Sequence, residues 1–476
     1  MLKSLPLFIT ACALVAAQPS SISQKYSEPA QKLIAAALAD QEGLARLQYL
    51  CDRIGNRVTG SASLERAIQW GAAEMKKAGF ENVRTPPVMV PNWIRGKEFA
   101  TLVAPIEKPL GMLGLGMSVG TPAAGIRAEV VIASSFEELT AMGRGKVAGK
   151  IVLFNPKWQG YGGTVMYRTG GASKAAELGA VAALVRSMTG VSLHTPHTGT
   201  LVYEENLPKI PAAAITLEDT AMIQRLADAG TPVTVLLKME AHQGADVESH
   251  NVMGDIRGSE KPDEVVVLGG HIDSWDIGQG ANDDGSGIMA TMQAVALIKN
   301  LGLKPRRTIR VVFWVSEENG GAGGRAYAAM LGASMKNHVA AIEMDGGAEK
   351  PLGFGFGSGG EGRRRRPAGA TPAAPAAAAT SSAAFNRVVE IGKLLAGIEG
   401  GAISPGGGGS DIAPLLAGGV PGLGVRTVAA HYNDWHHTES DTFDKIVPRE
   451  FQLNVASLAV MSYVLADMPE RLSEMK

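Results

Sequence analysis

Apolar positions recur at helical spacing over residues 30–50 and 63–78, with Ser61 or Ser63 placed to cap the second stretch and Gly79 to end it. The segment 54–61 between them carries no such period and is predicted to be a loop. Over residues 93–245 the pattern changes to short apolar runs punctuated by Gly and Pro. Runs at 150–154, 180–185 and 210–215 read as strands, and 172–178 as a helix. From Val252 onward, strand-like runs (264–268, 308–315, 338–344) alternate with helical stretches (287–299, 324–331, 385–395). Such alternation predicts an α/β fold with a mixed, largely parallel sheet sandwiched by helices. The change of pattern predicts an inserted domain at 96–246, dividing the main domain into 23–95 and 247–476. At 476 residues the chain is long enough for two cores.

The two ends of this pattern need separate treatment. Lys3 precedes an apolar run from Leu5 to Ala17, with Val15 and Ala17 as small residues at cleavage positions. Residues 1–22 are therefore expected to be a signal peptide, and the protein to be exported, periplasmic or secreted. The run is well short of the roughly 20 residues that a membrane span needs. Lipoprotein anchoring through Cys12 would leave a very short apolar stretch before the cysteine. With the leader removed, Cys51 is the sole cysteine and no internal disulfide can form. Residues 357–384 hold four consecutive arginines, Arg363 to Arg366, then a Pro/Ala/Thr-rich stretch, and are expected to be a disordered surface loop. The formal net charge of -1 gives no electrostatic case for nucleic acid or an anionic membrane.

Acidic and imidazole groups follow the predicted strands. His271-Ile-Asp273 ends one apolar run, Glu317-Glu318 a second and Asp345 a third, while Asp283-Asp284 lies in a glycine-rich turn before a helix. Open α/β sheets bind ligands at the carboxyl ends of their strands, so groups distant in sequence can meet there. Carboxylates crowded on one rim repel each other, and a divalent metal relieves that repulsion. Imidazole and carboxylate donors without thiolate suit zinc best, with cobalt or manganese also compatible.

The motifs His271-Ile-Asp-Ser-Trp-Asp through Asp283-Asp-Gly, Ser316-Glu-Glu-Asn, Asp345-Gly-Gly and His436-His437-Thr-Glu-Ser-Asp-Thr442 resemble those of the di-zinc aminopeptidase and carboxypeptidase family of co-catalytic metallo-exopeptidases. The stretches 149–153 and 210–215 look like parts of a protease-associated domain, which the insertion would then be. The resemblance implies two zinc ions per chain, His271 and Asp345 on one, Glu318 and His437 on the other, and Asp283 bridging them. His437 is preferred to His436 because it precedes Thr438 and stands four residues before Asp441, as in the family motif. Asp273 would accept the second ring N–H of His271 and fix its tautomer. Glu317 would be the general base in attack of water on the peptide carbonyl, pointing away from Glu318 if the pair lies on an extended segment.

Tyr432 is a candidate donor to the oxyanion or substrate, and Ser410-Asp411 a candidate loop beside the site; packing and a plain turn are their bland alternatives. The substrate implied is a dipeptide or short peptide. An aminopeptidase needs an acid near the free amine, whereas carboxylate recognition favours an arginine, for which Arg325 and Arg426 are candidates. Trp275 and Asp276 lean toward the carboxypeptidase members. Relatives of this kind commonly form homodimers. His194 and His197 read as surface or core residues, and Gly116-Met-Ser118-Val-Gly120 as a chance match to a nucleophile motif. A non-catalytic receptor-like homologue and a zinc-dependent cyclase of N-terminal glutamine are the competing functions.

Overall fold

The computed structural model describes residues 21–358 and 382–472. At its centre, Lys261–His271 carries the run Val265-Val-Val-Leu268, buried on both faces as an interior parallel strand requires. It runs parallel to Arg307–Trp314 on one side and His338–Glu343 on the other, and His338–Glu343 is parallel to Gly422–Thr427. Antiparallel neighbours finish the eight-stranded sheet: Val252–Ile256 and Glu81–Arg84 beyond Arg307–Trp314, and Pro351–Ser358 beyond Gly422–Thr427, with Ala402–Gly407 at the edge. The carboxyl ends of the four central strands share one rim.

Helices Ser27–Ala39, Ser286–Asn300 and Pro448–Asp467 bury their apolar residues in one large core against the sheet. Ala322–Leu331 and Ala413–Ala417 close the other face around Trp314 and Tyr327. The stretch 30–50 is broken: Ser27–Ala39 stops at Asp40, whose carboxylate accepts the Gly43 N–H and the Gln293 amide before Glu42–Tyr49 begins. Pro448–Asp467 is absent from the sequence pattern because Val455 to Ala466 is buried all round, which erases the period that marks a surface helix.

Residues 98–239 supply a second eight-stranded sheet, in which Ile126–Ala133, Ile151–Phe154, Ala182–Arg186 and Ala212–Ile215 are successive parallel strands. It has its own apolar cluster on each face. The chain enters and leaves it side by side, since Pro87–Val90 pairs with Val247–His250 and Trp93–Ile94 with His242–Gln243. Most of the leader, residues 1–20, and most of the Arg/Ala/Pro-rich loop, residues 359–381, lie outside the described residues. The loop's expected bounds contract: Ser358 pairs with Gly407, and Ser382 caps the helix Ala383–Gly392. Among the described residues no helix is long and apolar enough to cross a membrane.

Candidate metal centre and substrate cavity

All five donor residues expected to hold metal meet at the rim. The two oxygens of Asp283 face different partners. Its Oδ1 lies 3.1 Å from Nε2 of His271, which is itself 3.4 Å from Oδ1 of Asp345. Its Oδ2 lies 3.1 Å from Nε2 of His437, which is also 3.1 Å from Oε2 of Glu318. His436 stacks on His437 at 3.6 Å and places its Nε2 3.3 Å from the same Oδ2. Donor atoms of His271, Asp283 and Asp345 form one group within 4.8 Å of one another, and those of Asp283, His436 and His437 a second.

A buried layer of polar groups holds these side chains. Nδ1 of His271 meets the main-chain carbonyl of Asp273 at 3.0 Å, whereas the Asp273 carboxylate is 3.8 Å away. This corrects the expected role of Asp273. Its carboxylate instead accepts the N–H groups of Glu317 (3.1 Å) and Glu318 (3.2 Å) and the Thr59 hydroxyl (3.0 Å). Glu317 and Glu318 lie on a turn, not an extended segment, because Ser316 adopts φ 63° and swings the chain away from the strand direction. The Asp441 carboxylate accepts the N–H groups of Asn282 and Asp283 at 2.8 and 3.1 Å. Asp284 accepts from His271 N and Gly287 N, and fits only because residues 270 and 287 are glycines: a Cβ there would come within 1.9 and 2.2 Å of its oxygens. Arg57, fully buried, donates to the carbonyls of Gly55, Ile272, Gln279 and Gly280 and staples the loop after His271.

The charge balance of the rim suits a divalent cation. Burial opposes protonation of His437, but Glu318 and Asp283 outweigh it and push it up to about 10. Burial, then Asp283, pushes Glu318 up to about 7; burial, then Asp345, pushes Glu343 up to about 8. The buried Oε1 of Glu318 has no protein partner. Imidazoles and carboxylates that must hold protons to coexist, one with an orphaned oxygen, form a donor set that a divalent metal fits.

Without metal, the protein should lose stability as pH rises over roughly 6.5 to 10. Glu318, Glu343 and His437 each hold a proton more tightly folded than unfolded. Their contribution is complete below the unfolded pKa values, about 4.5 for Glu and 6.5 for His, and is lost as pH passes the folded ones. His197 and His436, whose pKa values are lowered, act in the opposite sense but only below about 6.5. Melting curves in chelator at several pH values test this; a melting temperature that climbs across the window would contradict it.

The sequence model of peptidase family M28 matches residues 251–461, the span that carries His271 through His437. Bovine carboxypeptidase Q is 39% identical over 91% of this chain and 87% of its own length, and the Xenopus laevis protein 40% over 94% and 91%. The chain belongs to peptidase family M28. It is a metallo-exopeptidase. The crystal structure of a peptidase M28 precursor from Shewanella amazonensis SB2B superposes with a TM-score of 0.87 at 32% identity, covering 95% of this chain and 99% of that one. An aminopeptidase from Aneurinibacillus sp. strain AM-1 shares the fold, with a TM-score of 0.64 at 21% identity over 94% of this chain and 98% of that one.

In this M28 peptidase the donor groups open into a cavity of about 740 Å³, lined also by Glu317, Glu343, Ser410, Arg426 and Tyr432. Glu317 is half-buried, and burial together with nearby carboxylates keeps the proton on Tyr432. Asp411 is buried behind Ser410, where burial and then Glu343 raise its pKa well above the usual range. Arg325 is exposed and folds back on the Gly320 carbonyl. Trp275 is buried in the core of the second sheet, and Arg95 grips Asp276 at 2.7 and 2.8 Å.

The second sheet also contributes residues that the sequence pattern did not single out. Tyr161 lines the cavity and packs edge-on against His436, with 5.1 Å between ring centroids. Thr198 receives Nδ1 of His437 at its carbonyl, 3.3 Å away, and its own N–H donates to the His437 carbonyl at 3.0 Å. The guanidinium of Arg168, buried, donates to the Tyr161 hydroxyl at 2.9 Å and to the Thr198 carbonyl at 3.4 Å. None of these has a motif; their neighbours in sequence are ordinary helix and loop residues. His197 is a buried core histidine and His194 is exposed, as expected of both.

Proposed function

We propose that this metallo-exopeptidase uses two zinc ions to hydrolyse dipeptides or short peptides from a free C-terminus, as the name carboxypeptidase Q implies for its relatives. The observation that carries the proposal is the division of the Asp283 carboxylate between two imidazole and carboxylate sets. His271 and Asp345 would hold one ion, Glu318 and His437 the other, with Asp283 between. His437 is preferred to His436 because it alone also meets Glu318. Bound zinc supplies Lewis acidity, lowering the pKa of water toward about 7 and polarising the substrate carbonyl.

The protein's own groups complete the reaction. Glu317, its main chain held by Asp273, takes the proton of the attacking water and passes it to the leaving nitrogen as the C–N bond breaks. Tyr432, held protonated, donates to the oxyanion that forms on the carbonyl. Ser410 sits on the wall facing the substrate, and Asp411, next in the chain, is buried. Aminopeptidase activity is the second reading, favoured by Glu343, whose carboxylate lines the cavity and could take a free amine. The apolar leader, from Leu5 to Ala17, supports export.

The test is one dipeptide series, unmodified, N-acetylated and C-amidated, with zinc and with chelator. Zinc-dependent release of amino acids that C-amidation abolishes is expected. Retained cleavage of the amides would move the activity to the N-terminus, and no cleavage at all would favour a receptor-like or cyclase function.

A further inference from the structure

Among the described residues the cavity is lined by five carboxylates, those of Asp283, Glu317, Glu318, Glu343 and Asp345, and by one Lys or Arg side chain, Arg426. Arg426 forms no ion pair among the described residues; its Nη1 donates to the hydroxyl of Ser404, another lining residue. Arg426 is exposed, and its described hydrogen-bond partner is neutral. It stands on Gly422–Thr427, the strand beside His338–Glu343. Glu343 stands opposite Gly424 where the parallel pairing ends, and Asp345 lies in the loop just beyond, two residues after Glu343. Neighbouring strands are about 4.8 Å apart. Gly424, Val425, Arg426 and Thr427 all border the cavity, so the end of this strand forms part of its wall.

We propose that Arg426, braced by Ser404, receives the free C-terminal carboxylate of the substrate. In a dipeptide that carboxylate lies three bonds beyond the scissile carbonyl carbon, about one residue length or ~3.8 Å. A substrate whose scissile carbonyl sits beside Asp283 and Asp345 thus brings its carboxylate to the neighbouring strand, within reach of a long arginine stem. A guanidinium binds a carboxylate through two parallel hydrogen bonds, which gives both affinity and orientation. Arg325 cannot substitute, since it does not border the cavity. Cleavage would then favour substrates with one residue after the scissile bond, because a longer leaving group overshoots Arg426.

This rests on the C-terminal exopeptidase reading, and the experiment separates the two. Arg426→Met and Arg426→Lys would be assayed with a free-acid dipeptide and its amide, after checking that zinc content and melting temperature match the parent. The expected result is a KM for the free acid raised about 30-fold in Arg426→Met with kcat within about twofold, the pattern for lost ground-state binding. Arg426→Lys should recover part of the loss, and the preference of Arg426→Met for the free acid over the amide should shrink. An unaltered KM and an unaltered preference for the free acid in Arg426→Met would overturn the assignment alone. A parent enzyme that cleaves amides as well as acids, or neither, would overturn the C-terminal reading and this inference with it.

Discussion

Glu317→Gln protein should keep its zinc and turn over on the order of 100-fold more slowly, or worse. Glutamine preserves the shape of the side chain and cannot accept the proton of water. The N–H of residue 317 still reaches Asp273, so the turn that also carries Glu318 stays in place. The loss should fall on kcat, with KM little changed, because the proton moves only as the carbonyl is attacked. Metal analysis alongside steady-state kinetics is the check. Parent-level turnover in a zinc-replete variant would remove Glu317 as the base.

Asp283→Asn should be more damaging still. The amide replaces one carboxylate oxygen with a nitrogen that has no lone pair to give a metal, so one arm of the proposed bridge would be lost whichever way the amide turns. Its NH2 would then face either His271 or His437, each 3.1 Å from an Asp283 oxygen, and both imidazoles would lose the charge they share through Asp283, leaving Asp345 beside one and Glu318 beside the other. Zinc should drop to one per chain or fewer, and kcat/KM should fall by about 1,000-fold. Retention of two zinc ions with near-normal kcat/KM would show that Asp283 does not bridge. A stable fold with reduced zinc is expected, because Asp441 grips the main-chain N–H groups of residues 282 and 283 and not the side chain that changes.

Part of this site was legible because strand ends are legible. Val265 to Leu268 and Val311 to Val315 are apolar runs that stop at polar residues, and His271, Glu317 and Glu318 stand just past the stops. Other parts were not. Glu317 and Glu318 were expected to point apart on an extended segment, yet Ser316 turns left-handed and both glutamates ride a turn. Asp273 was expected to act through its carboxylate on His271, but its carbonyl does so and frees the carboxylate to anchor Glu317 and Glu318. Such exchanges between main chain and side chain of one residue leave no trace in residue type.

By itself the sequence determined the chemistry on offer: three central strands of a parallel sheet, the donor types at their ends, and motifs that place the chain among the M28 peptidases. These follow from local periodicity and from residue identity, which need no partner. Tertiary structure alone decided that the two Asp283 oxygens face opposite donor sets, that Arg426 and not Arg325 borders the cavity, and that Arg168 and Thr198, on a helix and a loop beside the second sheet, reach His437. Thr198 and His437 are 239 residues apart. Contacts at that separation depend on strand order and on how the two sheets pack against the Trp275 loop, and no local period of hydrophobic and polar residues encodes either.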